Sequence, residues 1–345
     1  MSSADHYRLL REGAGVFDAS AARGRLLLTG ADRRAYLQGL LTNDIAALTP
    51  GTGCYSAYLT AQGRMMADMR VFELGDALLV DLDASVTAAV RDKWTMFIFS
   101  EDVQIQDRSS ATAQVGIHGP QAARVLAETL TKDQPAQRPV PPDVVDAVHE
   151  AVLDAMPVHA CAAVLFQGAS AIVLRTDDSG VLGFDVVIPA EVRDAFTAAL
   201  LTNGGAVVGA DAVEVCRVEA GRPRFGVDMT AETIPLEAGI EDRAISLTKG
   251  CYVGQEIIIR VLHRGQGRVA RRLVGLSLEA AADVPLPGTV ISSGERGVGA
   301  VTSAVRSPAL GRPIALGYVH RDFVAPGTML GIGGTAATVT AVPFV

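Results

Sequence analysis

Lys249-Gly250-Cys251-Tyr252-Val253-Gly254-Gln255-Glu256 is the stretch from which the rest of this chain is read. Its glycines let the backbone bend sharply or approach another segment closely. Gln255 onward can propagate a helix, which puts Cys251 near a helix N-terminus. The helix dipole there and the adjacent Lys249 favour thiolate over thiol. A thiolate attacks electrophiles or binds soft metals. The plainer reading is a glycine-bounded turn with an incidental cysteine, and the residues alone leave both open. Cys54, Cys161 and Cys216 read as small buried hydrophobes. None of the four cysteines forms a C-x-x-C pair and no two histidines stand at i, i+4, so no metal site is expected.

Upstream, Arg25 to Thr29 reads as a strand, and Asp32 as the N-cap of a helix with Tyr36, Leu37, Leu40 and Leu41 on its apolar face. Tyr55 to Thr60 and Met65 to Leu74 form a hairpin around Gln62-Gly63, followed by a strand from Ala77 to Leu82. Val86, Val90, Trp94 and Phe97 mark one helix stripe, and they, Met96 and Tyr36 read as core. The order returns: strand Ala113 to His118, helix Gln121 to Leu130, hairpin Ala162 to Gln167 and Ala171 to Thr176, strand Phe184 to Ile188, helix Glu191 to Asn203. This reads as an internal duplication. Lys132 to Asp143, with four prolines, is expected to be an exposed excursion, and Val140 to Asp154 is undecided. Downstream of Arg264, short β-like runs between Gly and Pro predict a small antiparallel barrel. The fold class is therefore α+β with a C-terminal antiparallel β-barrel.

Composition limits the function. The 345 residues, 49% hydrophobic and 20% charged, suffice for two or three domains with sizeable cores. A net charge of −8 argues against direct nucleic-acid binding and against anchoring on anionic lipid. No apolar run is long enough to span a bilayer. Met1 to Phe17 has neither a signal-peptide core nor transit-peptide character, so a cytoplasmic location is expected. No nucleophile elbow or phosphate-cradling glycine motif appears.

The 249–256 stretch resembles the signature of the YgfZ-type folate-binding proteins, relatives of the glycine-cleavage T-protein and of mitochondrial proteins that mature iron–sulfur enzymes. Leu28-Thr29-Gly30-Ala31-Asp32, Gln38 to Asp44, His118-Gly119-Pro120-Gln121-Ala122, Arg217 to Pro223, Pro235 to Gly239, Gly299 to Ser303 and Ala315 to Val319 are similar to further family blocks, in order along nearly the whole chain. The resemblance implies a T-protein-like multi-domain arrangement around a central folate channel. Residues 1–260 would form two intertwined folate-binding subdomains and 265–345 the barrel. It also implies tetrahydrofolate, or a reduced derivative, as cofactor.

Two departures stand out. T-proteins that transfer the aminomethyl group carry adjacent aspartates after a glycine turn. Here Gly63-Arg64-Met65-Met66-Ala67-Asp68 keeps only one carboxylate, and a general base needs a placed carboxylate. Strand alternation puts Asp68 on the face opposite Ala67. The family's folate-contacting acid follows a Gly-aromatic pair, and Asp185 of Gly183-Phe184-Asp185 takes that place. It would accept two parallel bonds from the pterin, or else be a solvent charge at a strand end. Arg217 would meet the glutamate tail, or pair with Glu219 or Glu214.

The resemblance thus points to a tetrahydrofolate-binding accessory protein for assembly or repair of iron–sulfur clusters in client enzymes. Cys251 would act as nucleophile, redox thiol or transient cluster ligand, with Lys249, Gly250, Tyr252, Gly254, Gln255 and Glu256 completing the motif. Clusters generally use four protein ligands, so the implied partners are iron–sulfur client or assembly proteins. The alternative is a tetrahydrofolate-dependent aminomethyltransferase or demethylase. A third reading is a folate-binding regulator of tRNA modification acting through partner proteins.

Overall fold

The computed structural model describes residues 2–132, 149–264 and 267–345. Most of the proline-rich stretch Lys132 to Asp143 lies outside the described residues. Of the undecided Val140 to Asp154, a helix at Glu150–Asp154 is described. The strands in chain order are β1 Gly15–Asp18, β2 Arg23–Thr29, β3 Gly53–Leu59, β4 Met65–Glu73, β5 Leu78–Asp83, β6 Gln104–Asp107, β7 Thr112–His118, β8 Cys161–Phe166, β9 Ala169–Thr176, β10 Gly183–Pro189 and β11 Ala206–Val207. Then follow β12 Arg271–Leu278, β13 Val290–Ser293, β14 Arg296–Ser307, β15 Arg312–His320, β16 Met329–Ile332 and β17 Thr335–Thr340.

One sheet has the order β3-β4-β5-β2-β6, and a second has β8-β9-β10-β7-β1-β11. The first four positions of the two orders correspond strand for strand. Helices Arg33–Leu40 and Ala84–Thr95 flank the hairpin and strand of the first sheet, and Ala122–Lys132 and Arg193–Thr202 those of the second. The duplication expected from the sequence is therefore a repeat of topology. β1 comes first in the chain yet pairs with β7 and β11 of the second sheet, which interleaves the halves.

Strand alternation decides what each face meets. On β4, Ala67, Met69 and Val71 join Leu26, Leu28, Val80, Leu82 and Trp94 in one core. Phe72, on the other face, meets Leu79 and then Cys161, Leu174 and Val187 of the second sheet. The two sheets thus face one another across a small apolar cluster. The second sheet and its helices enclose a core centred on Val115, Ile117, Leu126, Phe166, Phe184 and Phe196. The last six strands close as the antiparallel barrel β12-β15-β14-β13-β16-β17.

Some expectations change. Asp32 occupies the N-cap position but makes no capping bond; its Oδ2 accepts from the Asp102 N–H at 2.8 Å. Trp94 is fully buried, whereas Met96 and Phe97 lie past the helix end and are 74% and 42% exposed. β1, β6 and β11, of four, four and two residues, are too short to show a period. Helix Ala210–Glu219 reads Ala-Asp-Ala-Val-Glu-Val-Cys-Arg-Val-Glu, whose near alternation hides its helical period. No described helix is long and apolar enough to cross a membrane.

Candidate functional site: an arginine-lined cleft

Six arginines (Arg23, Arg70, Arg217, Arg222, Arg224 and Arg243) and three aspartates (Asp68, Asp83 and Asp178) line a cleft with about 560 Å³ of empty space, mouth included. The polar face of the first sheet forms one wall. In the β3–β4 register Tyr55 opposes Arg70 and Ala57 opposes Asp68. Tyr55 and Asp68 are therefore diagonal neighbours on one face, within reach of a long aromatic side chain. The Tyr55 hydroxyl donates to Asp68 Oδ2 at 2.7 Å, and the Arg243 guanidinium lies 5.0 Å from the Tyr55 ring centre.

Burial pushes the Asp68 carboxyl above its ordinary range, against the Tyr55 hydroxyl and the charge of Arg23, which pull it down. Burial also holds the Tyr55 phenol well above its own. Asp68 makes no ion pair within 4 Å among the described residues. A half-buried carboxyl bonded to a hydroxyl, in a cationic cleft, can take and return a proton next to a ligand. Ala67, where the second carboxylate of transferring T-proteins would stand, points into the apolar core on the sheet's other face.

Asp185 is engaged by the protein itself. Its Oδ2 accepts from Arg70 Nη2 at 2.7 Å and Gln114 Nε2 at 3.0 Å, and its Oδ1 lies 3.5 Å from His118 Nε2. Arg70, 2% exposed, also pairs with Asp81 and Asp178. The Arg70 charge, with the His118 ring beside it, holds Asp185 far below the usual carboxylate range against the cost of burial. A pterin contact at Asp185 would have to displace this network, which joins the two sheets.

Arg217 is likewise committed, and to Glu214 rather than Glu219. It donates to Glu214 at 2.9 and 2.5 Å, to Asp228 at 2.7 Å and to Ser303 at 2.8 Å. Arg224 is half exposed, with one loose pairing to Glu214 at 3.4 Å, which makes it the more available cation at the mouth. Tyr55, Arg70 and Arg243 were missed in the sequence. Period-two alternation along β3 and β4 groups Tyr55 and Arg70 with Asp68, whereas nothing local marks Arg243.

Cys251 is the one exposed cysteine; Cys161 and Cys216 are buried and Cys54 is partly buried. It is not among the residues lining the cleft. The helix after it, Gln255–Ile259, spans five residues with Gly254 at its N-cap. Gly254 has φ +86°, and a Cβ there would lie 2.5 Å from the Thr60 carbonyl oxygen, so the loop needs glycine at this position. Lys249 does not serve the thiol. Its Nζ donates to the carbonyls of Gln38, Leu41 and Asn43 at 2.7, 2.6 and 2.9 Å, and burial lowers it to about 8. Tyr252 is buried with its ring 5.2 Å from the Lys249 ammonium, and Glu256 pairs with Arg260 on the surface.

Residues 2–249 match the GCVT N-terminal domain, and residues 271–345 match the glycine cleavage T-protein C-terminal barrel domain. An aminomethyltransferase of Synechocystis sp. is 30% identical over 329 residues, covering 94% of this chain and 82% of the relative. One of Geobacillus kaustophilus is 31% identical over 332 residues, covering 94% and 84%. The crystal structure of glycine cleavage system aminomethyltransferase T from Bartonella henselae matches with a TM-score of 0.85 at 23% identity, covering 100% of this chain and 90% of that one, a likeness of fold.

Proposed function

The chain belongs to the glycine cleavage T-protein family, and from that premise we propose that it binds a reduced folate in the arginine-lined cleft and carries out tetrahydrofolate-dependent one-carbon transfer there. The carrying observation is the Asp68–Tyr55 pair on the cleft wall. Asp68 holds or moves the proton during transfer, and Tyr55 fixes its carboxylate. Arg224 at the mouth meets the carboxylates of the folate tail. Bound tetrahydrofolate supplies the nitrogen that accepts the one-carbon unit.

This reverses the preference reached from sequence. The relatives are named aminomethyltransferases, which supports the alternative reading over the iron–sulfur accessory role. The objection from Ala67 also weakens, because that position faces the core and the retained carboxylate faces the cleft. The test is chromatographic detection of methylene-tetrahydrofolate formed from aminomethyl donors, whose carbon is already at the methylene oxidation level. Asp68→Asn is expected to lower the rate on the order of 100-fold or more. No product from any donor with the wild-type protein would remove the transfer reading.

The exposed thiol keeps a second reading in place: a YgfZ-type folate-binding protein that supports iron–sulfur client enzymes through Cys251. Deletion of the gene, followed by assays of cluster-containing enzymes and rescue by wild type and by Cys251→Ser, tests it. Full rescue by Cys251→Ser makes the thiol dispensable.

A further inference from the structure

His159 has φ +66°. The other non-glycine residue with positive φ among those described, Gln167, lies in the two-residue turn between β8 and β9, where such angles are usual. His159 is the third residue of a β-turn, Pro157 to Ala160, closed by the Ala160 N–H donating to the Pro157 carbonyl at 2.9 Å, a position where a positive φ favours glycine or asparagine. Its backbone is pinned on two sides. Its N–H donates to the Arg175 carbonyl at 3.0 Å, and its own carbonyl oxygen packs so close to Gly53 that a Cβ there would come within 2.6 Å. Glycine would adopt this left-handed conformation without steric cost; an imidazole residue adopts it where the surroundings over-determine it.

The conformation lays the ring on Tyr55, with centroids 6.3 Å apart and planes 19° from parallel. Nδ1 is buried without a hydrogen-bond partner, so this nitrogen does not anchor the ring. The charged groups around it are Asp177, Asp178, Arg70 and Arg243, and burial lowers the imidazole to about 4. The ring is thus neutral at physiological pH and adds no charge beside the two arginines. Tyr55 is in turn the side-chain partner of Asp68, whose other charged neighbours are Arg23 and Asp178.

We infer that His159 is a positioning residue of the cleft: it holds the Tyr55 ring and, through it, the orientation of the Asp68 carboxylate. The inference deepens the transfer reading and rests on it for its functional meaning, but its test needs no turnover. The Asp68 carboxyl is titrated by carbon-13 NMR in the ligand-free full chain, with the resonance assigned by Asp68→Asn. Tyr55→Phe removes the hydroxyl that lowers Asp68 and so raises its midpoint. His159→Asn tolerates the left-handed backbone but loses the stacked ring, and His159→Gly removes both ring and strain. Both are expected to raise the Asp68 midpoint by about half a pH unit or more, roughly threefold in protonation. Tyr55→Phe combined with His159→Gly should move it no further than Tyr55→Phe alone, because one route carries both effects. His159→Gly should not lower the melting temperature, which separates positioning from support of the fold and keeps the test open should the Asn variant fail to fold. An unchanged Asp68 midpoint in the His159 variants, or full additivity with Tyr55→Phe, overturns the inference. If the wild type forms no methylene-tetrahydrofolate while the midpoints shift as stated, the proposed function falls and the role of His159 stands.

Discussion

At Asp68 the cleft holds a carboxyl where its charged form is disfavoured, and the sign of that effect is open to measurement. A carboxyl raised in the folded state favours folding only while it carries its proton. Once pH rises above the ordinary carboxylate value of 3.8, the folded protein bears a penalty that the unfolded chain does not. Asp68→Asn removes the penalty. It is expected to melt above wild type at pH 7, with the gap closing as pH falls toward 4, while transfer activity is lost. A lower melting temperature at pH 7 would make Asp68 a structural residue. The thiols give a second residue-scale prediction. Burial pushes Cys54, Cys161 and Cys216 up to about 12, and Cys251 is exposed. Iodoacetamide at pH 7 should therefore label Cys251 first, as read by mass spectrometry of the alkylated peptides; equal labelling of Cys54 would refute this. The sequence marked Cys251 as the distinctive thiol, but its physical basis differs: exposure separates it from the other three, and Lys249 is turned into a cage of carbonyls.

At the scale of elements, the alternation Ala67-Asp68-Met69-Arg70-Val71 was legible because one sheet face is apolar and the other is not. The duplicated strand order was legible for the same reason. What Arg70 and Asp185 do was not, because they are 115 residues apart and meet only when the two sheets face each other. Arg217 shows the contrast: its partner Glu214 stands three residues earlier on the same helix and was among the alternatives read from sequence. The Arg70–Asp185 pair is buried, and removing Asp185 takes one of three carboxylates from Arg70 and the acceptor from Gln114. Asp185→Ala should cost about 1–3 kcal/mol in urea unfolding. Asp185 is held below 3.8 when folded, so its contribution is complete above that pH and is lost as pH falls below it, by up to about 1.4 kcal/mol per pH unit. The stability of Asp185→Asn should accordingly fall less steeply than wild type below pH 3.8. Parallel acid-unfolding slopes would count against the pairing.

Across the whole molecule, helix Ala210–Glu219 joins the N-terminal helix Ser3–Glu12 to the barrel. Glu219, fully buried, accepts from the Tyr7 hydroxyl at 3.1 and 2.9 Å and pairs with Arg11, both on helix Ser3–Glu12. On the barrel side it accepts from the Ser307 hydroxyl of β14 at 2.5 Å, and its backbone carbonyl accepts from Phe344 near the C-terminus at 2.7 Å. Two residues earlier Arg217 reaches Ser303 on the same strand, and Val218 packs on Ile314 and Leu316 of β15. The cleft depends on this helix, because Arg217 also holds Asp228, whose Oδ2 accepts from the Arg224 N–H at 3.1 Å and so fixes the lip of the mouth. Glu219→Ala leaves a phenol, a guanidinium and a serine hydroxyl without their common acceptor. Truncation of a buried charged partner of this kind costs about 3–5 kcal/mol. The loss should appear as weakened docking between the barrel and the rest: a urea midpoint lowered accordingly, faster limited proteolysis near residues 267–270, and weaker reduced-folate binding although Glu219 does not line the cleft. Glu219→Gln keeps an acceptor oxygen and should recover part of each effect. A Glu219→Ala protein with wild-type stability and unchanged proteolysis would show that the apolar contact of Val218 with β15 suffices to seat the barrel.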